Sequence, residues 1–172
     1  MSQSDTEAII QVINLYALGI DTQRWELFDL VFTPDMRCDY GPTSIWQDLE
    51  TFKRDFEAFH DPFDGTQHVM TNHLVKVDGD KACATTYGHW RLIRKCLDGG
   101  DFWEGNGWYD DKLVKTSAGW RIRERTCRII WWGGNPQAQE TIPGVKFVLQ
   151  TTNLRREAKA GAVPLLDALV KK

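Results

Sequence analysis

The sequence predicts an α+β fold in which N-terminal helices pack inside a curved antiparallel sheet around an apolar pocket. Apolar residues recur with helical spacing through about residue 60, and from Thr66 onward extended runs alternate with tight turns. Helices followed by a series of strands are typical of α+β domains. The chain has 172 residues, which is the usual size of one domain.

Three helices are predicted before the long strands. The first runs from Asp5 to Ile20, with Ser4 or Asp5 as its N-cap. The second covers Trp25–Phe32, and the third covers Asp48–Phe59. Between these two helices, Met36–Tyr40 is predicted as a short strand. The first helix has one apolar face, formed by Ile9, Ile10, Ile13, Tyr16, Ala17 and Ile20.

Four β-rich runs follow, and glycine-containing turns separate them. Adjacent strands joined by tight turns form an antiparallel meander. The predicted strands are Thr66–Val77, Lys81–Cys96, Phe102–Thr116 and Trp120–Trp132.

The last part of the chain is irregular and is predicted to be a tail. Residues 1–135 form the predicted domain, and residues 136–172 are its tail, serving as a lid over the pocket or as a subunit contact. Within the tail, Pro164–Lys172 has the pattern of an amphipathic helix with proline at its first position.

Composition and charge exclude several classes of protein. Hydrophobic residues at 42% and charged residues at 26% are typical of folded domains, which excludes disorder. A net charge of −3 argues against a nucleic-acid partner, because proteins that bind phosphate backbones are normally basic. No apolar run reaches the ~18 residues of a membrane span, so no membrane partner is expected.

Cysteine usage indicates the compartment. The four cysteines are scattered, without a C-x-x-C pair or a preceding signal peptide. This pattern favours free thiols in a reducing environment, so a cytoplasmic protein is expected. The cysteines are Cys38, Cys83, Cys96 and Cys127.

The aromatic content is high, with eight Trp, eight Phe and four Tyr. One interpretation is a well-filled core. The other is that several rings line a cavity for a flat or polycyclic apolar ligand, because such cavities are mostly aromatic with few polar groups.

Asp21 is the first candidate site residue. It lies four residues after Ala17 and therefore continues the apolar face of the first helix. A carboxylate in that position points toward the core, where a charge is tolerated only when it is paired. Alternatively, Asp21 caps the next helix.

His68 is the second candidate. On a regular strand it shares a face with Met70, Asn72 and Leu74. A single histidine in a strand is more often structural, yet histidine is also the commonest general base because its pKa of about 6.5 lies near working pH. No metal is expected, since His73 falls on the opposite face from His68 and the other histidines complete no ligand spacing.

A resemblance to a known family is carried by Asp21-Thr22-Gln23-Arg24-Trp25, Phe32-Thr33-Pro34-Asp35, Arg37-Cys38-Asp39-Tyr40, Thr66-Gln67-His68, Val77-Asp78-Gly79-Asp80 and Gly119-Trp120-Arg121-Ile122. In this order and spacing, the segments resemble the SnoaL-like branch of the nuclear transport factor 2-like superfamily. That branch includes scytalone dehydratase, bile-acid 7α-dehydratase and hexachlorocyclohexane dehydrochlorinase. The resemblance covers about residues 7–132.

The resemblance implies a cone-shaped α+β barrel with a deep pocket and no cofactor. In lyases of this group, an aspartate of the first helix orients a histidine of the sheet, which moves the proton; Asp21 and His68 match these positions. Tyr40 matches a pocket tyrosine of scytalone dehydratase. Tyr16 and, more loosely, Arg128 match a tyrosine and an arginine of bile-acid 7α-dehydratase, so all three are expected to bind substrate.

The sequence also departs from scytalone dehydratase. The second pocket histidine of that enzyme falls near Arg94 here, and its serine and asparagine pair falls near Gly107 and Tyr109. The elimination chemistry is therefore expected to be shared, while scytalone is not the expected substrate.

The function implied by the resemblance is that of a cofactor-independent lyase, a dehydratase acting on a cyclic or polycyclic apolar substrate. A double-bond isomerase using the same proton abstraction is a close variant. The alternative is a protein of this fold that only binds small molecules. The named relatives are trimers, and strands that are partly apolar on both faces need a cover. A homotrimer, or otherwise a dimer, is therefore expected.

Overall fold

The computed structural model describes residues 3–95, 98–145 and 148–170. None of the helices in these ranges is long and apolar enough to cross a membrane. The helices are α1 (Asp5–Asp21), α2 (Leu49–His60), α3 (Leu154–Lys159) and α4 (Pro164–Val170), with 3-10 helices at Trp25–Leu30 and Pro136–Gln139.

Side-chain caps begin the two N-terminal α-helices. The Ser4 hydroxyl accepts a hydrogen bond from the Glu7 backbone N–H, and the Glu7 carboxylate accepts one from the Ser4 backbone N–H. This capping box confirms Ser4 as the N-cap of α1. Asp48 caps α2 by accepting a 2.8 Å hydrogen bond from the Thr51 N–H.

Among the described residues, six strands form one curved sheet that does not close on itself. Their order across the sheet is β2-β1-β6-β5-β4-β3, and consecutive strands from β3 to β6 pair antiparallel, which confirms the meander. β1 runs parallel to β6, which departs from a purely antiparallel sheet. The strands are β1 (Phe32–Asp39), β2 (Ile45–Trp46), β3 (Gly65–Asp78), β4 (Lys81–Ile93), β5 (Phe102–Thr116) and β6 (Gly119–Gly134).

The segment around Pro34 differs from the prediction. The helix predicted over Trp25–Phe32 is a 3-10 helix that ends at Leu30, and the strand predicted at Met36–Tyr40 already begins at Phe32. Pro34 therefore lies inside β1, although it has no N–H to donate to a ladder. The pairing of β1 with β6 shifts register over this stretch, and the interruption accommodates the proline.

Two other predicted elements end at residues that the structure does not describe. The run predicted to end at Cys96 is a strand only as far as Ile93, and Cys96 lies outside the described residues. The tail helix begins at Pro164 as predicted and is helical to Val170, beyond which the last two residues are not described.

A β-bulge in β3 changes which side chains face the core. The pairing with β4 shifts register between Thr71 and Leu74, and Asn72 has a φ of +52°. After the bulge His73 and Val75 are the more buried residues, whereas Asn72 and Leu74 are exposed. The prediction that His68, Met70, Asn72 and Leu74 share one face is therefore correct only as far as Met70. Beyond the bulge, His73 lies on the same side of the sheet as His68.

The core forms between α1 and the concave side of the sheet. α1 packs against β3 and β6, and it buries Ile9, Ile13 and Ile20 completely. Burying a side chain of this size contributes about 1.5–3 kcal/mol, so this helix is held mainly by its apolar face. An aromatic cluster including Phe28 and Phe52 fills the space between α1, α2 and β1.

The tail divides into two parts. After the 3-10 helix Pro136–Gln139, the chain meets the sheet again at Thr151, which bridges to Ile129. α4 packs against β3, β4 and β5, where Leu165 and Trp108 are buried outside the main core. Since Trp108 lies on the opposite face of β5 from the core residue Tyr109, α4 covers the convex side of the sheet.

The bulge at Asn72 generates the first prediction. Asn72→Val is expected to lower the free energy of unfolding by about 1–2 kcal/mol, because a β-branched residue is strained at positive φ. Asn72→Gly is expected to change it less, since glycine adopts this conformation freely. Urea unfolding measures both. Thr71→Val is the matched control in ordinary strand geometry, and an equal loss in both valine variants would contradict the expectation.

Candidate active site

A cavity of about 710 Å³ lies between α1, α2, the concave side of the sheet and the first part of the tail. Its size is within the range of small-molecule sites. Trp46, Phe56, Phe59, Trp90 and Trp103 are among the aromatic residues that line it. Both interpretations of the high aromatic content therefore hold. Some rings fill the core, and these rings line a cavity.

Glycines in the sheet make room for this cavity. A Cβ atom at Gly88 would lie 2.6 Å from the ring of Tyr109, and one at Gly105 would lie 2.6 Å from Trp103 and 2.7 Å from Trp90. The absence of side chains at these two positions lets the three rings lie close against the strands. The space above the rings remains open as a result.

Asp21 lies at the C-terminal end of α1 and binds β3 with both carboxylate oxygens. Oδ1 accepts hydrogen bonds from the Thr66 hydroxyl at 2.9 Å and from His68 Nδ1 at 2.8 Å. Oδ2 accepts a 2.8 Å bond from the His68 backbone N–H. Asp21 does not cap the following 3-10 helix, whose N-cap residue, Arg24, makes no side-chain cap bond.

The bond to Asp21 assigns the tautomer of His68. Because a carboxylate only accepts, Nδ1 carries the single proton of the neutral ring, and in that tautomer Nε2 has a free lone pair. The His68 side chain is 7% exposed and lines the cavity. Nε2 has no hydrogen-bond partner in the part of the chain that the structure describes, so it is the ring atom available to a ligand.

Three tyrosines form the floor of the cavity beside His68. The hydroxyls of Tyr16 and Tyr40 are hydrogen-bonded at 2.9 Å. The ring of Tyr109 lies 5.8 Å from that of Tyr16 and 6.2 Å from that of Tyr40. Burial raises the pKa of all three phenols above the ordinary value, so they are neutral O–H groups at pH 7. The structure thus brings the predicted residues Tyr16 and Tyr40 together and adds Tyr109.

A buried ion pair lies beneath these tyrosines. Arg125 donates from Nε and Nη2 to the two carboxylate oxygens of Asp111, each at 2.7 Å, and both side chains are 0% exposed. The guanidinium carbon lies 4.3 Å from the ring centre of Tyr16 and 4.6 Å from that of Tyr109. Burial opposes the charge of Arg125, but Asp111 outweighs it and raises the arginine pKa.

Arg125 was not identified from the sequence, whereas Arg128 was. Trp120 and Ile122 point into the core, and counting two residues at a time from Ile122 leads to Arg128. A register shift at Arg123 reverses the alternation, so that Arg125 faces inward and Arg128 outward. Arg128 is therefore not with Asp21 and His68; it lines a smaller adjoining cavity and pairs with Asp39.

His60 is a second histidine in the cavity wall that sequence reasoning missed. It ends α2, and its Nδ1–H donates to the Phe56 carbonyl at 2.7 Å. Burial lowers the pKa of His60 to about 3, so the ring is neutral. The spacing of Phe52, Phe56 and His60 on one helix face was the available signal.

The described residues contain no group of three or more His, Cys, Asp or Glu side chains placed to hold a metal ion. His73, although it faces the same side as His68, is hydrogen-bonded to the Thr86 hydroxyl at 3.1 Å. The side chains in and beneath the cavity that bear on chemistry are the Asp-His pair, the neutral phenols and the buried guanidinium.

Comparisons with known proteins identify a family and a shared fold. Residues 2–126 match the family model of the SnoaL-like domain. The uncharacterised protein Rv2910c of Mycobacterium tuberculosis H37Rv is 32% identical over 126 residues, which cover 71% of this chain and 83% of that protein.

Two solved structures share the fold. Protein Kfla4162 from Kribbella flavida has a TM-score of 0.74 and 24% identity, covering 79% of this chain and 97% of that one. A protein from Novosphingobium aromaticivorans, provisionally assigned as a scytalone dehydratase, has a TM-score of 0.68 and 20% identity, covering 74% of this chain and 85% of that one. Identities at this level show the fold alone.

The ion pair beneath the floor generates the second prediction. Arg125→Met or Asp111→Leu alone is expected to lower the free energy of unfolding by about 3–5 kcal/mol, because each leaves one buried charge without its partner. The double variant is expected to regain most of that loss. Urea unfolding of all four proteins tests this as a double-mutant cycle, and a double variant as unstable as the sum of the singles would contradict it.

The buried His60 generates the third prediction. The unfolded chain binds a proton at this residue below pH about 6.5, whereas the folded chain does so only below about pH 3. Stability is therefore lost as pH falls through this window, by up to about 1.4 kcal/mol per pH unit. His60→Gln is expected to reduce this slope in urea unfolding at pH 4 to 6.5. The partly exposed His89→Gln is the control, and an unchanged slope in His60→Gln would contradict the expectation.

Proposed function

The chain belongs to the SnoaL-like domain family, and we propose that it is a cofactor-independent lyase that removes water from a cyclic or polycyclic apolar substrate. The observation that carries this proposal is the Asp21–His68 pair with Nε2 of His68 available in an aromatic cavity. The family match and the fold shared with the provisional scytalone dehydratase support the same class of reaction.

The proposed first step is a proton transfer from carbon to His68. Nε2 takes the proton from a carbon next to a carbonyl group, and the electron pair of the C–H bond moves to form the enolate. Asp21 holds the ring in the reactive tautomer and stabilises the imidazolium. A neutral phenol from the Tyr16–Tyr40 pair donates to the carbonyl oxygen on which negative charge develops.

The proposed second step expels the hydroxyl group. The electron pair of the enolate forms the carbon–carbon double bond, the C–O bond breaks, and the imidazolium of His68 returns its proton to the leaving hydroxide as water. An isomerase differs only in this step, since the same proton then returns to another carbon of the substrate. Both variants need the same His68 geometry.

A binding protein without catalysis is the second candidate function. The observation that favours it is that Asp21 also accepts hydrogen bonds from Thr66 and from the His68 backbone, which join α1 to β3. In that case the Asp21–His68 contact is a satisfied buried pair that stabilises the fold.

The fourth prediction separates the two candidates. The parent protein is expected to catalyse deuterium exchange from D₂O into the α-carbon of a bound cyclic ketone, measured by mass spectrometry over a steroid and polyketide panel. His68→Ala is expected to lower the rate at least about 10³-fold while ligand affinity is kept. Asp21→Asn is expected to cost less than His68→Ala but at least about 10²-fold, because the amide does not stabilise the imidazolium.

His89→Gln is the control for this experiment, because His89 lies outside the cavity lining. Ligand binding by the parent without any exchange would support the binding protein. Exchange by His68→Ala at the parent rate would overturn the lyase proposal.

A further inference from the structure

A smaller cavity of about 270 Å³ adjoins the active-site cavity. We call it the side compartment. Its polar lining consists of Asp39, Arg128, Gln150, Thr152, Arg156 and Glu157. The two cavities share Tyr40, Ile45, Cys127 and Ile129 as lining residues, so the side compartment lies next to the cavity of His68.

Arg128 is held rigidly in this compartment by one of its nitrogens. Nη1 donates to the Asp39 carboxylate at 3.0 Å, to the Asp39 carbonyl at 3.1 Å and to the Cys127 carbonyl at 2.9 Å. Nε and Nη2 have no hydrogen-bond acceptor within residues 3–95, 98–145 and 148–170. The side chain is 28% exposed, so this unused edge is partly shielded from solvent.

The same strand shows what this edge of a guanidinium binds. Three residues earlier, Arg125 uses its Nε and Nη2 to hold both oxygens of the Asp111 carboxylate at 2.7 Å. Two parallel N–H donors match a planar carboxylate in both spacing and charge. Arg128 presents the same pair of donors without an acceptor.

The acidic groups near Arg128 are already engaged. Asp39 accepts from both Arg128 and Arg37, and despite its partial burial these bonds hold the pKa of its carboxyl below the ordinary value. Glu157 accepts a 2.6 Å bond from the Thr152 hydroxyl. Arg156 forms no ion pair with an acid in the part of the chain described by the structure. The lining therefore has two guanidinium groups and two carboxylates, and neither carboxylate occupies the Nε–Nη2 edge of Arg128.

We propose that the side compartment binds a carboxylate carried by the substrate, with the Nε–Nη2 edge of Arg128 as its bidentate donor. This inference rests on the proposed function and names its substrate class: an apolar ring system with a short acidic side chain. The rings lie in the aromatic cavity beside His68, and the acid extends past Tyr40, which lines both spaces.

The test compares acids with their neutral amides. The probes are androst-4-en-3-one-17β-carboxylic acid with its carboxamide, and 2-naphthylacetic acid with its amide, measured at pH 7.5 by displacement of N-phenyl-1-naphthylamine fluorescence. For at least one pair the parent is expected to bind the acid at least about tenfold more tightly, as expected for a charged bidentate contact. Equal affinities in both pairs, or no binding by either acid, would overturn the proposal.

Two substitutions locate the contact. Arg128→Gln is expected to abolish the preference for the acid while the amide binds as it does to the parent. Arg123→Gln is the matched control, because this arginine of the same strand pairs with Asp35 and lies outside the lining of both cavities; it is expected to keep the preference. Melting temperatures verify that both variants are folded. A loss of acid and amide affinity alike in Arg128→Gln, or an equal loss of preference in Arg123→Gln, would overturn the proposal.

A free anion is distinguished from a substrate-borne carboxylate by adding acetate. Acetate is expected not to displace the acid at the concentration at which the acid binds, and displacement by acetate at that concentration would overturn the proposal.

The deuterium-exchange experiment uses neutral ketones and His68 variants, so it reports on the proposed function separately. A preference for acids that depends on Arg128 supports the compartment even if no exchange occurs.

Discussion

The buried ion pair between Arg125 and Asp111 is the contact around which the cavity floor is built. Its two charges are completely removed from water, which is tolerated because both carboxylate oxygens meet the same guanidinium edge at 2.7 Å. Tyr16 from α1 and Tyr109 from β5 pack on the guanidinium, so the helix layer and the sheet layer are joined at this point. The positive charge also favours negative charge on an oxygen bound above the tyrosines.

Asp21 joins the same two layers at the other side of the cavity. A single carboxylate accepts the Thr66 hydroxyl, the His68 backbone N–H and His68 Nδ1. The bonds that fix the end of α1 to β3 are thus the bonds that orient the imidazole. Because structure and orientation depend on one side chain, a loss of activity at Asp21 is informative only when it is compared with the melting temperature of the same variant.

Sequence reasoning found the fold from local patterns, namely helical spacing and strand runs between glycine turns. The pairing of Asp21 with His68 came from the family resemblance, because spacing alone left both residues with structural alternatives. Sequence reasoning failed where the backbone is irregular. The bulge at Asn72 and the register shift at Arg123 each reverse the alternation of a strand, and no residue type marks them in advance. Because of the second reversal, Arg125 lies beneath the cavity, whereas the sequence predicted Arg128 there. The sequence prediction also kept Pro34 out of a strand. Pro34 nevertheless lies in β1, because the pairing of β1 with β6 is interrupted there and no N–H is needed.

Tyr40 connects the two cavities, and its position bears on which carbon of a ligand can react. Its hydroxyl is bonded to Tyr16 beside His68, while the residue also lines the compartment of Arg128. A ligand anchored at Arg128 and passing Tyr40 would have little freedom to slide along the cavity. The length of its acidic side chain would then determine which ring carbon lies at Nε2 of His68, and a shift of about 1 Å is enough to change a rate about 10²-fold. In this arrangement the outward-facing arginine selects the reacting carbon without contacting it.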